Sequence, residues 1–277
     1  MNDSEKHVTV VKPRNTWDIL TIRDLWEYRD MLLYLVLRDI KARYTQSVLG
    51  IGWAVLQPLF LMIVFTVIFG KLVKINTNGM DYAVFSYTAL VPWAYFSNSL
   101  MLTTGSLIQN SNLLSKVFFP RLVLPMSTVL STLVDFFIAF ILVIVLMIWY
   151  QVSPTIWVLF LPVLLMLMVV LSVSLGSLFA ALAIQYRDVR HGIAFLVQGM
   201  MYASPVVYPV SIIPDKYRLI YGLNPMAGVI EGFRSALLGS TPMPWDLIIV
   251  GTIVTLVLAV IGLTYFKFTE RIFADVM

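Results

Sequence analysis

Apolar residues in this chain come in long unbroken runs, and each run is bounded by charges, proline or glycine. Six stretches reach the roughly 20 apolar residues that a helix needs to cross a bilayer: 48–73, 83–109, 121–150, 155–184, 192–210 and 246–266. The pattern predicts an all-α integral membrane protein with six transmembrane helices. The third and fourth spans meet at Trp149–Pro154, a tight turn whose aromatic residues suit the headgroup layer. The second span is the least apolar, with Ser97, Asn98, Ser99, Thr103, Thr104 and Ser106. Such polarity is tolerable only against other helices or water, so this helix is expected inside the bundle.

Three segments depart from the spans. Residues 1–16 are expected to form a cytoplasmic tail. Residues 17–47 read as an amphipathic interface helix, with Ile19, Ile22, Trp26 and Leu33 at helical spacing and Asp18, Arg23, Asp24, Glu27 and Asp30 between them. The seven apolar residues Met31–Leu37 are too few to cross, so this helix should lie along the cytoplasmic face with Arg38, Lys41 and Arg43 among the headgroups. On the opposite face, Asn224-Pro225 supplies an N-cap and a proline at the first helical position. Met226, Val229, Ile230, Phe233 and Leu237 follow at helical spacing, and Gly239 ends the run. About 14 helical residues cannot span a bilayer. They can enter and return as a re-entrant hairpin or rest on the surface, and the prolines at 205, 209 and 214 favour the hairpin. Between the second and third spans, 110–120 carries Leu113, Leu114, Val117, Phe118 and Phe119 on a short loop that Ser111 can cap and Pro120 can stop. Five apolar residues there should dock on something, either a partner or this chain's own interface helix.

Charge sets the orientation. With six spans, 14 of the 19 Lys and Arg residues fall on the side of the termini and of the loops near 110–121 and 185–191. The positive-inside rule makes that side cytoplasmic. The same asymmetry accounts for the net charge of +4 as topological, so no nucleic-acid partner is expected. Composition agrees with lipid as the solvent. The chain is 60% hydrophobic and 12% charged, where a soluble domain is roughly 45–50% apolar and 25% charged. No cleavable signal is visible in the charged first 47 residues, so the first span is expected to serve as an uncleaved anchor.

Little of the chain suits catalysis. It has no cysteine, and His7 and His191 lie far apart, so neither thiolate chemistry nor a metal site is expected. Gly70-Lys71 lacks the upstream glycine of a phosphate-binding loop. The acid deepest within a span is Asp135, and an intramembrane carboxylate is expensive unless it bonds a neighbouring helix or works in gating or transport. Gly228 and Gly232 allow close helix approach. Trp93, Tyr95 and Phe96 in the polar second helix, and Trp53 beside Gly50 and Gly52, could present aromatic faces to the C–H faces of sugars in a conduit; core packing and interfacial belts are the competing account.

The stretch Arg38-Asp39-Ile40-Lys41-Ala42-Arg43-Tyr44, continuing through Ser47-Val48-Leu49-Gly50 to Trp53 and Gln57-Pro58, resembles the opening of type-2 ABC exporter permeases, more narrowly the polysaccharide and O-antigen exporters. Asn112-Leu113-Leu114 through Phe119-Pro120-Arg121, Gln185-Tyr186-Arg187-Asp188, and Leu223-Asn224-Pro225-Met226 with Glu231 and Arg234 agree with it in order, over roughly residues 20–270. The resemblance implies a six-helix half-transporter of 48–277, paired with a second copy and with two copies of a separate ATPase that binds the ATP and Mg²⁺. No cofactor of the chain's own is implied. It implies a lipid-linked polysaccharide (O-antigen, capsule or teichoic-acid type) as cargo across the bacterial inner membrane. The basic trio Arg38, Lys41 and Arg43 would then meet a lipid pyrophosphate, although anionic lipids and topology explain the trio equally well. The segment 110–120, with Asn112, Leu113, Lys116 and Phe119, would be the coupling helix to the ATPase. Residues 211–240, with Asn224, Pro225, Glu231 and Arg234, would be the outer gate helices. A permease for a small drug or lipid remains the nearer alternative. A proton-coupled transporter would need several buried ionisable groups, and a membrane-embedded transferase a histidine–carboxylate or metal cluster.

The topology is directly testable, because a chain without cysteine allows single-cysteine labelling without background. A cysteine at position 78 should react with an impermeant reagent from the outside and one at position 116 from the cytoplasm. Labelling of position 78 from the cytoplasm alone would overturn the six-span arrangement.

Overall fold

The computed structural model describes residues 26–45, 47 and 49–270. The expected tail over 1–16, the opening of the interface helix over 17–25, and 271–277 lie outside the described residues. All regular elements among the described residues are helical. They are α1 (Arg29–Tyr44), α2 (Trp53–Phe65), α3 (Tyr82–Gln109), α4 (Ser111–Leu114), α5 (Val123–Trp149), α6 (Leu161–Gln185), α7 (Val189–Tyr202), α8 (Asp215–Tyr221), α9 (Pro225–Leu238) and α10 (Trp245–Glu270). A 3₁₀ turn at Gly50–Gly52 leads into α2, and a π-helical stretch, Thr66–Leu72, prolongs it. Four helical stretches are long and apolar enough to cross a membrane: Gly50–Leu72, Val123–Trp149, Ile156–Gln185 and Trp245–Glu270.

α3 is long enough, at 28 residues or about 42 Å, but more polar. Its place explains its composition. It lies against α2, α5, α6, α7 and α9, and 22 of its residues are buried, so its hydroxyls meet protein rather than lipid. Thr88, Ser97, Thr104 and Ser106 donate to carbonyls three or four residues back in the same helix. Ser99 shares a 2.5 Å hydrogen bond with Thr132 of α5. The side chain of Asp81 caps the helix by accepting from the Ala83 amide at 2.9 Å.

The helices alternate in direction. Leu107 at the end of α3, Leu124 at the start of α5, Ala181 near the end of α6 and Phe266 near the end of α10 gather around Leu35 of α1. At the opposite end, Trp157 just before α6 meets Trp245 at the start of α10, with ring centroids 5.3 Å apart. The segments expected on the cytoplasmic side thus lie together at one end, and 203–245 lies at the other. Outward-facing residues on α2, α5 and α10, such as Phe60, Ile141 and Val260, are exposed and apolar, as lipid contact requires.

Two helices are shorter than the stretches expected to form them. The run at 192–210 is helical only within Val189–Tyr202, 14 residues or about 21 Å, short of the roughly 30 Å core. Proline at 205 and 209 stops it, since a proline offers no amide to the preceding turn. The loop at 110–120 contains only the one-turn helix α4, which has no side-chain cap and ends well before Pro120. The expected helix after Asn224-Pro225 is present. Asn224 Oδ1 accepts from the Met226 amide at 3.1 Å, and Gly239 leaves the helix at φ +65°, the left-handed value that favours glycine.

All 14 residues of α9 are buried, which suits a re-entrant element and not a surface helix. Gly228 and Gly232 make this possible. A Cβ at Gly228 would stand 2.8 Å from the Leu247 carbonyl oxygen of α10, and one at Gly232 2.8 Å from Leu164 Cδ1 of α6. Gly228→Ala should therefore destabilise the detergent-solubilised protein by about 1–3 kcal/mol through overpacking. Gly199→Ala in α7, where nothing lies within 4 Å of the new Cβ, should leave the melting temperature unchanged or slightly raised. Equal melting temperatures for the two variants would refute the close-packing role of Gly228.

Candidate functional site

Two constellations concentrate the polar chemistry, one at each end of the bundle. The first begins with α1. Leu35 packs beside Leu122, Val123 and Leu124. Four residues on, the carboxylate of Asp39 accepts from Ser127 Oγ at 3.5 Å. Four residues further, Arg43 Nη2 donates to Ser131 Oγ at 3.0 Å and Nη1 to Asp135 Oδ2 at 2.5 Å. The matching steps of four show that α1 runs parallel to the opening turns of α5 instead of lying free among headgroups. Tyr44 donates its hydroxyl to the other Asp135 oxygen, so the acid holds two partners from α1.

This separates the basic trio. Arg38 is held by Asp39 at 2.8 Å, Arg43 is committed to Asp135, and Lys41 is exposed. Asp135 has the structural partner that its span position demanded, and Arg43 was available to be found. A carboxylate inside a span needs a counter-ion, and Arg43 is the last cation before the first span.

The Arg43–Asp135 pair forms the floor of a cleft of about 500 Å³ between α1, α2, α3 and α5. Trp53, Gln57, Tyr95, Asn98 and Thr132 also line it. Trp53 is half exposed, and Tyr95 reaches the cleft from the core while donating to the Val129 carbonyl at 3.3 Å. Trp93 and Phe96 do not reach it. They pack against each other at 5.7 Å in the buried core, which is where the competing account of the aromatics placed them.

The coupling segment also divides. Asn112 and Lys116 are exposed, and Leu113 is partly buried. Phe119, expected to reach a partner, is buried with Leu35, Leu107 and Phe266 and anchors the loop on its own chain. Phe118, another of the five apolar residues of this loop, is 94% exposed, with half-exposed Val117 beside it. One residue of register decides which ring turns inward, and nothing in the alternation of residue types there fixes it.

The second constellation is at the opposite end. Arg234 of α9 is fully buried. Its guanidinium donates to the carbonyls of Pro205 at 2.5 Å, Val206 at 2.8 Å, Tyr208 at 3.3 Å and Phe85 at 3.2 Å, and to Glu231 at 3.3 Å. It also stands 3.6 Å over the Phe85 ring. Tyr82 donates to the remaining carbonyl of this run, Val207, at 2.6 Å. Asn224 Nδ2 adds bonds to the Ala203 carbonyl and to Ser204 Oγ. Of the residues expected in an outer gate, Asn224 and Arg234, with Glu231 as the arginine's counter-ion, support the irregular chain at 203–210, and Pro225 packs beside Gly251 of α10.

The family profile described as ABC-2 type transporter matches residues 31–238, which takes in both constellations. The O-antigen export system permease protein RfbA of Myxococcus xanthus is 33% identical over 219 residues, covering 78% of this chain and 84% of that protein. A protein of the same name from Klebsiella pneumoniae is 28% identical over 249 residues, covering 90% and 95%. The polysialic acid transport protein KpsM of Escherichia coli is 25% identical, covering 74% and 80%.

Removing the second constellation's cation has a defined consequence. Arg234→Met should cost on the order of 3–5 kcal/mol, because it leaves Glu231 without its counter-ion and the carbonyls of Pro205, Val206 and Tyr208 without a donor. Arg234→Lys should recover only part, since an ammonium has three donors and no planar fork. A reporter cysteine at the buried Val207 should react slowly in the parent protein and rapidly in Arg234→Met. Equal reaction rates would show that the arginine does not hold this segment.

Proposed function

The chain belongs to the ABC-2 type transporter family, and on that premise we propose that it is the permease subunit of an ATP-driven exporter that moves lipid-linked polysaccharide across the inner membrane. The observation that carries this reading is the likeness, over 90% of the chain, to a permease named for O-antigen export. The all-helical bundle, with four stretches fit to span a membrane and a fifth long helix between them, supports it.

The finer reading adds a second copy of the chain, two copies of a separate ATPase and both termini in the cytoplasm. ATP hydrolysis belongs to the partner, which pushes on the loop at 110–120. The geometry supports a division of labour within that loop. Phe119 transmits the push to α1, α5 and α10 through the cluster it shares with Leu35 and Phe266, while Phe118, Val117, Asn112 and Lys116 face the partner. Lys41, exposed on α1, is the member of the basic trio that meets anionic headgroups.

Reconstitution with the partner ATPase tests the whole reading: lipid-linked polymer should stimulate ATP hydrolysis, and small hydrophobic drugs should not. The loop makes a sharper test. Phe118→Ala should leave folding intact and weaken ATPase binding by about 2 kcal/mol, as removal of an interface anchor does. Phe119→Ala should instead lower stability by about 3–5 kcal/mol, the cost of emptying a core site. Copurification of undiminished ATPase with Phe118→Ala would sink the docking assignment.

A further inference from the structure

The cleft above Arg43 and Asp135 has a composition that packing does not explain. Two amides face it from adjacent helices, Gln57 from α2 and Asn98 from α3. Neither has a hydrogen-bond partner among the described residues; Gln57 is exposed, and Asn98 is half-buried on the wall of the cleft. Polar groups in such a place are normally satisfied. The floor is charged but neutral in sum, because Arg43 and Asp135 cancel at 2.5 Å. Trp53 presents a half-exposed indole at the rim. The volume of about 500 Å³ falls within the range of small-molecule sites, about 300–1,000 Å³.

Charge selects the ligand class. A phosphate would have to break the Arg43–Asp135 pair and leave a carboxylate stranded beside an anion. An uncharged polyol needs no such exchange. Its hydroxyls both donate and accept, so they can bridge a carboxylate, a guanidinium and two amides at once, and the apolar C–H face of a sugar ring lies against an indole. We infer that this cleft is a binding subsite for an uncharged sugar ring of the exported glycan, with Asp135, Arg43, Gln57 and Asn98 as its hydrogen-bonding groups and Trp53 as its stacking face. This inference rests on the exporter reading and assigns it a location. It turns Arg43 from a lipid-phosphate contact into part of a sugar site, with Asp135 as the residue that keeps the site neutral.

The test uses the full permease with its ATPase in proteoliposomes and a single reporter, Met101→Cys, which lines the cleft without a polar role. Two probes are compared: lipid-linked glycan extracted from cells of the source strain, and a polyprenyl diphosphate bearing no sugar. The glycosylated lipid should slow modification of the cysteine, and the bare diphosphate should not. Asp135→Asn should weaken that protection about tenfold, the loss of one charge-assisted hydrogen bond. That variant strips Arg43 of its partner and puts the fold at risk, so Asn98→Ala, which breaks no bond within the protein, is the second variant and should weaken protection in the same sense. Equal protection by the bare diphosphate would overturn the inference in favour of a phosphate site. Stimulation of ATP hydrolysis by the glycan without any protection of the cysteine would overturn it while leaving the exporter reading standing. Absence of both stimulation and protection would overturn the two together.

Discussion

The structure depends on one buried cation. Arg234 sits where water is excluded, and its guanidinium accounts for three of the four consecutive carbonyls at 205–208, with Tyr82 supplying the fourth. Irregular backbone is tolerated at membrane depth only where protein or a cavity satisfies it. A guanidinium is suited to the task because it is planar, permanently charged and carries five donors. Glu231, one turn earlier on the same helix, offsets the charge. The short helix α7, the prolines that end it and the inward path of α9 are all permitted by this single group. Since the carbonyl of Phe85 is also bound, the central helix α3 is tied into the same knot.

At the other end the fixed element is the parallel pair of α1 and α5. Apolar contact at Leu35, then Asp39 with Ser127, then Arg43 with Ser131 and Asp135, join the helices at successive turns. Phe119 belongs to the same apolar cluster, so the loop at 110–120 and the helix that frames the cleft share a core. A displacement at the loop therefore reaches the cleft through contiguous packed side chains. The buried ion pair makes that connection costly to break and specific in register, because a slip of one turn would strand both charges.

Much of this was legible in the amino-acid order, and the failures share a cause. The spans, the buried polar helix and the capped helix after Asn224 are written in local pattern: run length, hydroxyl content, Asn-Pro followed by Gly. Partnerships across long sequence separation are not. Asp135 reads as a lone acid because its partners lie 91 and 92 residues earlier. The carbonyl partners of Arg234 are equally hidden, since nothing near it announces that its acceptors are backbone carbonyls. The choice between Phe118 and Phe119 turns on tertiary register, and the end of α7 on prolines whose cost is met by a distant side chain.

The clamp at Arg234 also constrains how the protein is made. Its acceptors at 205–208 leave the ribosome 26 to 29 residues before the arginine that satisfies them. During insertion those carbonyls must stay in contact with water, so the segment after α7 cannot settle into lipid when it first emerges. It is drawn in only once α9 arrives and docks against α3, which was inserted long before. The final step of assembly is then a post-insertional docking of a hairpin into a pre-formed helical frame. A ribosome paused just short of Arg234 would hold a chain that still lacks α10 and whose outer end is still open.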